Sequence, residues 1–405
     1  MASLPEVRME RDFASEKTKR LPRVGSRRTA DLAAESRKKG VDVLKLAAAP
    51  ALYLPPHLTD AVSKAAREKV SYAPSRGLPE LRQAISQKLR AENGIEADPE
   101  TEILVTNGGN HALTIAAMFA LDPGDEVLVP SPCYFFNGFI ELAGGVPVYV
   151  PMPEEEGFPL RADLLAKKVT GRTKAIILNT PVNPTGYVAT ERDLEEVAKL
   201  AEERDLLVIS DESYEKMLYD GRRHVCIGSL PSMKERTITI HSFTKSYGMP
   251  GWRVGYTVAP PDATDHLLKL LEWMVLCCGY VGQRAAQAAL TGPQDWVNAI
   301  SKTFEAKRDE VFSGFSKIPG VSLVKPQGGP FVFPNISSLG LDSEQFARIA
   351  MTRYGIPADP GHYLGSDAHV RIPFGCEDGV LPELISRMKQ CSEGIVRETE
   401  VRAHR

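Results

Sequence analysis

From about residue 100 to 260, short apolar runs alternate with longer stretches whose apolar positions recur at helical spacing. The runs are EILVT, EVLVP, PVYVP, KAIILN, LLVIS, TITIHSF and GYTVAP; ALTIAAMFAL, FNGFIELAGG and DLEEVAKLAEER lie between them. Runs this short and apolar predict strands buried on both faces. Their alternation with helices predicts an α/β fold with a mainly parallel central sheet flanked by helices. Ligands bind such sheets beyond the carboxyl ends of the strands, so functional residues are expected just after the runs.

The flanking regions read differently. The first 40 residues are polar and basic, as in an arm or a surface helix, and residues 41–46 predict a short strand. Pro50, Pro55 and Pro56 break the chain before the helix-like HLTDAVSKAAREK, and PELRQAISQKLRAE follows with Pro79 suited to a first helical turn. After about 262, LLKLLEWMVL, QRAAQAAL and VNAISKTFEAKRDEVFSGF predict helices. Short strands near 321 and 331, a helix from about 343, the strand VRIPF and a last helix from 380 complete a smaller α/β unit. At 405 residues the chain exceeds the roughly 250–300 at which single cores stop growing. The expected division is 1–56 as an arm and part of the small domain, 57–290 as a large domain, and 291–405 as a small C-terminal domain.

Composition narrows the function classes. Hydrophobic residues at 43% and charged residues at 25% are ordinary globular values, which excludes a largely disordered or collagen-like chain. No stretch approaches the roughly 20 apolar residues of a membrane span. A net charge of −3 lacks the basic footprint that a nucleic-acid backbone demands. The six cysteines (133, 226, 277, 278, 376 and 391) form no C-x-x-C pair, and the charged start is no signal peptide, so a reduced, cytoplasmic protein is expected. No clustered His/Cys spacing supports a metal site. Asn335-Ile336-Ser337 fits a glycosylation sequon without a secretion signal to support it.

Four strand ends carry the candidate chemistry. After EILVT, Asn107-Gly108-Gly109-Asn110-His111 leads into a helix, where backbone N–H groups and the helix dipole favour an anion; a tight βα turn is the alternative. After KAIILN, the rigid turn 180–186 holds Asn183 at the sheet edge. After LLVIS comes Asp211, with Tyr214 three residues on; a carboxylate there is costly unless paired, although helix capping would also explain it. After TITIHSF, Lys245 lies in a polar, glycine-flanked loop rather than on an amphipathic helix, and Arg253 opens the next run. A buried lysine can lose its proton and form a Schiff base with an aldehyde.

Taken together, SYAPSRGLPELRQAI, ILVTNGGNHAL, DPGDEVLVPSPCY, AIILNTPVNPTG, VISDESYE, SFTKSYGMPGWRVGY and VRIPFG, in that order, resemble the class I/II aminotransferases. These use pyridoxal 5′-phosphate (PLP) on the fold type I scaffold. The resemblance runs from about 70 to 375. It implies that Lys245 holds PLP as a Schiff base and moves the proton, and that Asp211 pairs the pyridine nitrogen. It implies that Asn183 and Tyr214 donate to the ring's phenolic oxygen and that Tyr134 stacks on the ring. The phosphate would meet the backbone of Gly109 and Asn110, with Ser242 and Arg253 as side-chain ligands. Tyr72 would reach the phosphate of a neighbouring subunit, which implies a homodimer. Arg371 would clamp the substrate α-carboxylate with its planar fork.

The chain departs from the family in three places. Ala48 stands where a glycine of a G-x-P-D-F pattern is usual, in the apolar segment 47–53 beside the substrate. Asn110 stands where some bacterial aspartate aminotransferases have a lysine for the distal carboxylate. Residues 355–363 depart from the usual V-x-V-x-P-G loop, keeping only Pro360-Gly361. The expected donor is therefore neutral or aromatic rather than acidic, with a 2-oxo acid as acceptor. The alternative on the same scaffold is a β-lyase, a carbon–carbon bond-forming enzyme or an amino-acid oxidase. A non-enzymatic PLP-binding regulator would need an appended DNA-binding segment, and none is visible.

Overall fold

The computed structural model describes residues 12–49, 55–68 and 71–403. The apolar runs become seven strands: β1 (Ile103–Thr106), β2 (Glu126–Ser131), β3 (Val146–Pro151), β4 (Thr173–Asn179), β5 (Leu207–Asp211), β6 (Thr237–Ser242) and β7 (Gly255–Val258). They lie in the order β1-β7-β6-β5-β4-β2-β3. The pairs β2–β3, β2–β4, β4–β5 and β5–β6 are parallel, whereas β7 runs antiparallel to both β1 and β6. The sheet is therefore mainly parallel.

Both faces of this sheet are covered, which is why β1, β2, β4 and β5 carry runs of consecutive apolar residues rather than an alternating pattern. Val127, Val129, Ala175 and Ile177 pack into one core, while their neighbours Leu128, Ile176 and Leu178 pack into another on the opposite face. Edge strand β3 has neighbours on one side only, and most of its residues are at least partly exposed. Helix termini follow local chemistry: Thr190 with Asp193, and Asp342 with Gln345, each form a reciprocal capping box.

A second, antiparallel sheet has the order β8-β10-β9, from Phe331–Val332 (β8), Asp359–Pro360 (β9) and Val370–Pro373 (β10). Helices Asp295–Phe315, Ser343–Tyr354 and Val380–Ala403 share a core with it through Phe304, Val311, Phe346, Ile372 and Leu384.

Two expected strands are not formed. Residues 41–46 run as an irregular segment tied by Leu44 N–H to Gly355 O at 2.9 Å, with only an isolated bridge between Ala47 and Gly375 beyond it. An apolar run becomes a strand only where a partner offers a ladder, and here the contacts are single. Ser322 likewise makes only an isolated bridge to Asn335. The helix at 79–92 is regular over Pro79–Lys88 and closes as a π-turn, Leu89–Asn93, with Gly94 at φ 68°. Of the apolar segment 47–53, residues 50–53 lie outside the described residues, as do the first 11 residues of the N-terminal arm.

Candidate active site

The ends of β1, β4, β5 and β6 converge, as expected of a parallel sheet. The antiparallel β7 begins at that same edge and so delivers Arg253 beside them.

At one end of the site the backbone has no room for side chains. Gly108, at φ 80°, caps the helix Gly109–Ala120, and a Cβ there would lie 2.7 Å from Arg253 Nη2. A Cβ at Gly109 would lie 3.3 Å from Ser213 Oγ and 3.7 Å from Ser242 Cβ. Arg253 itself takes a left-handed φ of 54°. Its guanidinium donates to Pro250 O at 3.1 Å, Thr244 Oγ1 at 3.4 Å and Asn107 O at 3.4 Å. Ser242 Oγ accepts from Thr244 N–H at 3.2 Å. A cation, a hydroxyl and the free N–H groups of a 12-residue helix thus surround one spot, a cradle suited to a dianionic group.

At the other end, Asp211 is buried. Its Oδ1 accepts from Ser213 N–H at 3.1 Å and Ser213 Oγ–H at 2.6 Å. Its Oδ2 has no hydrogen-bond partner among the described residues. Burial pushes the carboxyl above its usual range; the Ser213 bonds oppose this, Glu212 adds to it, and His241 opposes it. A carboxylate so placed lacks a cation, and a protonated ring nitrogen would supply one.

Between the two ends lies the amine. Lys245 Nζ donates to Ala48 O at 3.0 Å and lies 5.9 Å from the centroid of the Tyr214 ring. Its pKa is brought down to about 8, mainly by burial, with Arg371 and then Arg253 adding to the lowering and Asp211 opposing it. Asn183 is fixed by its own N–H to Asn179 Oδ1 at 2.7 Å, and Asn179 is held by the carbonyl of Asp211 at 2.9 Å. Its Nδ2 donates to Tyr214 Oη at 3.2 Å, and its Oδ1 accepts from Arg371 Nη1 at 2.8 Å. Tyr134 Oη donates to Asn110 Oδ1 at 3.4 Å. Burial pushes both the Tyr134 and Tyr214 phenols upward, so each stays a neutral hydrogen-bond donor.

Arg371 is buried between two rings, 4.7 Å from the Phe331 centroid and 5.3 Å from that of Phe135. It lines a cavity of about 1090 Å³ together with Ala48, Leu44, Trp296, Phe331 and Asp359. The structure therefore gathers Gly109, Asn110, Tyr134, Asn183, Asp211, Tyr214, Ser242, Lys245, Arg253, Arg371 and Ala48 around one region. Tyr72 stands apart: it is 81% exposed, with no partner among the described residues. Sequence reading does not reach Ser213, Asn179, Phe135, Phe331 or Asp359. Each acts through another site residue, and only the unusual loop at 355–363 gives a sign of the last.

An aldehyde at Lys245, a phosphate at the glycine cradle and a protonated ring nitrogen at Asp211 would satisfy these three open positions together, and PLP carries all three. Comparisons with known proteins bear on the family. A family model for aminotransferases of class I and II matches residues 41–388. The chain is 40% identical over 335 residues to an aspartate aminotransferase of Pyrococcus abyssi, covering 82% of this chain and 85% of that one. It is 37% identical over 342 residues to aromatic-amino-acid aminotransferase 2 of Thermococcus litoralis, covering 83% and 88%. Its fold matches the aspartate aminotransferase of Thermus thermophilus solved with maleate, with a TM-score of 0.89, 32% identity, and coverage of 94% and 100%.

Proposed function

The chain belongs to the class I and II aminotransferases, and on that premise we propose how its residues divide the work and which donor it takes. It is a PLP-dependent enzyme that moves an amino group from an amino acid to a 2-oxo acid. When bound, PLP supplies an electron sink for the substrate's Cα electrons.

Lys245 would hold PLP through its amine, and the same amine can hold and move the proton at the substrate's Cα. The observation that supports this is an amine brought to about 8 by its surroundings, so that it can give and take a proton near neutral pH. Asp211 would keep the ring nitrogen protonated, and Ser213 keeps Asp211 in place. Asn183 and Tyr214 would donate to the cofactor's ring oxygen, and Tyr134 would cover its ring. Gly109, Asn110, Ser242 and Arg253 hold the phosphate. Arg371 receives the α-carboxylate, oriented by Asn183. In this reading residues 57–290 make the cofactor domain, 1–56 an arm and part of the small domain, and 291–405 the small C-terminal domain.

For the donor, we favour a neutral or aromatic amino acid. Asn110 brings no charge to the site, and Leu44, Leu46, Trp296, Ile300 and Phe304 give the cavity apolar walls. A second reading has one observation in its favour. Arg27, on helix Gly25–Lys38, lines the same cavity, and its charge acts on Tyr134, so a distal carboxylate could be received there. A donor panel with 2-oxoglutarate as acceptor decides between them. We expect kcat/KM for phenylalanine or leucine to exceed that for aspartate by about ten-fold or more, the worth of one or two buried methylenes. Aspartate as the best donor would defeat the neutral reading. Without acceptor, each donor should react once per site and stop; continued release of ammonia, pyruvate or peroxide would point to lyase or oxidase chemistry.

We further propose a homodimer in which Tyr72 reaches the neighbour's phosphate, which is consistent with its exposure in the single chain. Tyr72→Phe should weaken PLP binding by about ten-fold or more, as for the loss of a hydrogen bond to a charged group. Unchanged PLP affinity, or a monomer by sedimentation, would remove this assignment. No helix among the described residues is long and apolar enough to cross a membrane. The six scattered free cysteines support a cytoplasmic location, which recovery from a secreted fraction would contradict.

A further inference from the structure

Asp359 and Arg371 are register partners across β9 and β10, so their side chains emerge on one face. Asp359 Oδ2 accepts from Arg371 Nε at 3.0 Å and from Nη2 at 2.6 Å. Nη1 donates to Asn183 Oδ1. The side chains of Arg371 and Asp359 are only 4% and 8% exposed. Of the five N–H groups of a guanidinium, three are therefore used, leaving one on Nη1 and one on Nη2. These two terminal nitrogens can therefore still donate to one carboxylate, as a guanidinium fork does. Asp359 thus leaves the fork open while its own charge already balances that of Arg371.

We propose that Asp359 is a specificity-determining residue that makes the carboxylate clamp electrically neutral. The α-carboxylate is then held by geometry more than by charge, and productive donors must draw their binding from a large apolar side chain in the adjoining cavity. The inference rests on Arg371 as the α-carboxylate clamp. In a buried setting, two carboxylates sharing one guanidinium repel each other, so each weakens the other's hold. No other cation forms an ion pair with Asp359 among the described residues; of the other cations on the cavity wall, Arg27, Arg37 and Lys45 are exposed, where water and salt screen them, and Lys307 is engaged by Asp378 and the Cys376 carbonyl. A donor as small as alanine gains little from a neutral clamp and fills little of about 1090 Å³. A dianionic donor adds one more negative charge beside Asp359. An aromatic donor instead buries a ring of roughly 150–250 Å².

The test uses the PLP-loaded enzyme and two unreactive ligands, 3-phenylpropanoate and 3-phenylpropanamide, which differ only in the charge offered to the clamp. In the wild type the acid should bind less than about ten-fold tighter than the amide, and a preference of about 100-fold or more would overturn the proposal. In Asp359→Asn the acid should bind about ten-fold tighter than in the wild type while the amide is unchanged. There kcat/KM for alanine and aspartate should rise relative to phenylalanine. Asp359→Glu, which keeps the charge, should keep the wild-type pattern. A residue with a merely structural role would instead weaken both ligands in Asp359→Asn and leave their ratio alone, which sinks the idea. Should Asp359→Asn not fold, the wild-type comparison still decides. Arg371→Ala separates the two levels. If it leaves acid binding intact, the clamp reading itself has failed; if it weakens acid binding while Asp359→Asn does not strengthen it, only the role of Asp359 falls.

Discussion

Lys245→Ala is expected to leave a protein that no longer holds PLP covalently and transaminates on the order of 10³-fold more slowly or worse, the scale of a lost general acid–base group with its covalent anchor. Two features of the wild type make the effect large. Position 245 follows the end of β6, so its amine faces Asp211, Arg253 and Arg371 rather than solvent. At a pKa of about 8, about one amine in ten is neutral at pH 7, against about one in three thousand at the ordinary 10.5. Borohydride reduction followed by mass mapping of the modified lysine is the measurement. A PLP adduct on a different lysine in the wild type, or one that persists in Lys245→Ala, would remove Lys245 from its role. Lys245→Arg serves as a control for folding, because it keeps a cation in the pocket without a nucleophile.

The parallel sheet is legible in the sequence because a strand covered on both faces carries consecutive apolar residues, as in Ile103–Val105 of β1 and Ala175–Leu178 of β4; β6, with Thr237, Thr239, His241 and Ser242 buried, shows that burial alone does not demand an apolar side chain. The residues at its carboxyl edge are legible for a related reason: Asp211 and Lys245 are polar groups where an uncommitted chain would place none. Residues 41–46 show the limit. Their apolar pattern reports burial, and Val43 and Leu44 are indeed buried, but burial alone does not supply a strand partner. Asp359 shows a second limit. It is separated from Arg371 by 12 positions, and only the pairing of β9 with β10 brings the two charges together. Ser213 and Asn179 escape notice in the same way, because their contribution is to hold Asp211 and Asn183 and not to meet a ligand.

Arg371→Ala should raise KM for every amino acid donor by an amount equivalent to about 2–5 kcal/mol, the range for truncating one side of a desolvated, hydrogen-bonded charge pair. That corresponds to roughly 30-fold to several thousand-fold. The upper part of the range is expected, because the substitution also leaves Asp359 facing the incoming carboxylate with no cation between them. The same unpaired carboxylate should destabilise the fold by about 3–5 kcal/mol, since breaking a buried pair strands a charge. The double variant Arg371→Ala/Asp359→Ala separates the two consequences. It removes the stranded charge, so thermal stability should recover most of its loss, while the fork that receives the carboxylate is still missing and KM should stay high. Recovery of KM along with stability would mean that Arg371 acts only by neutralising Asp359, and an unchanged KM in the single variant would end its assignment as the clamp.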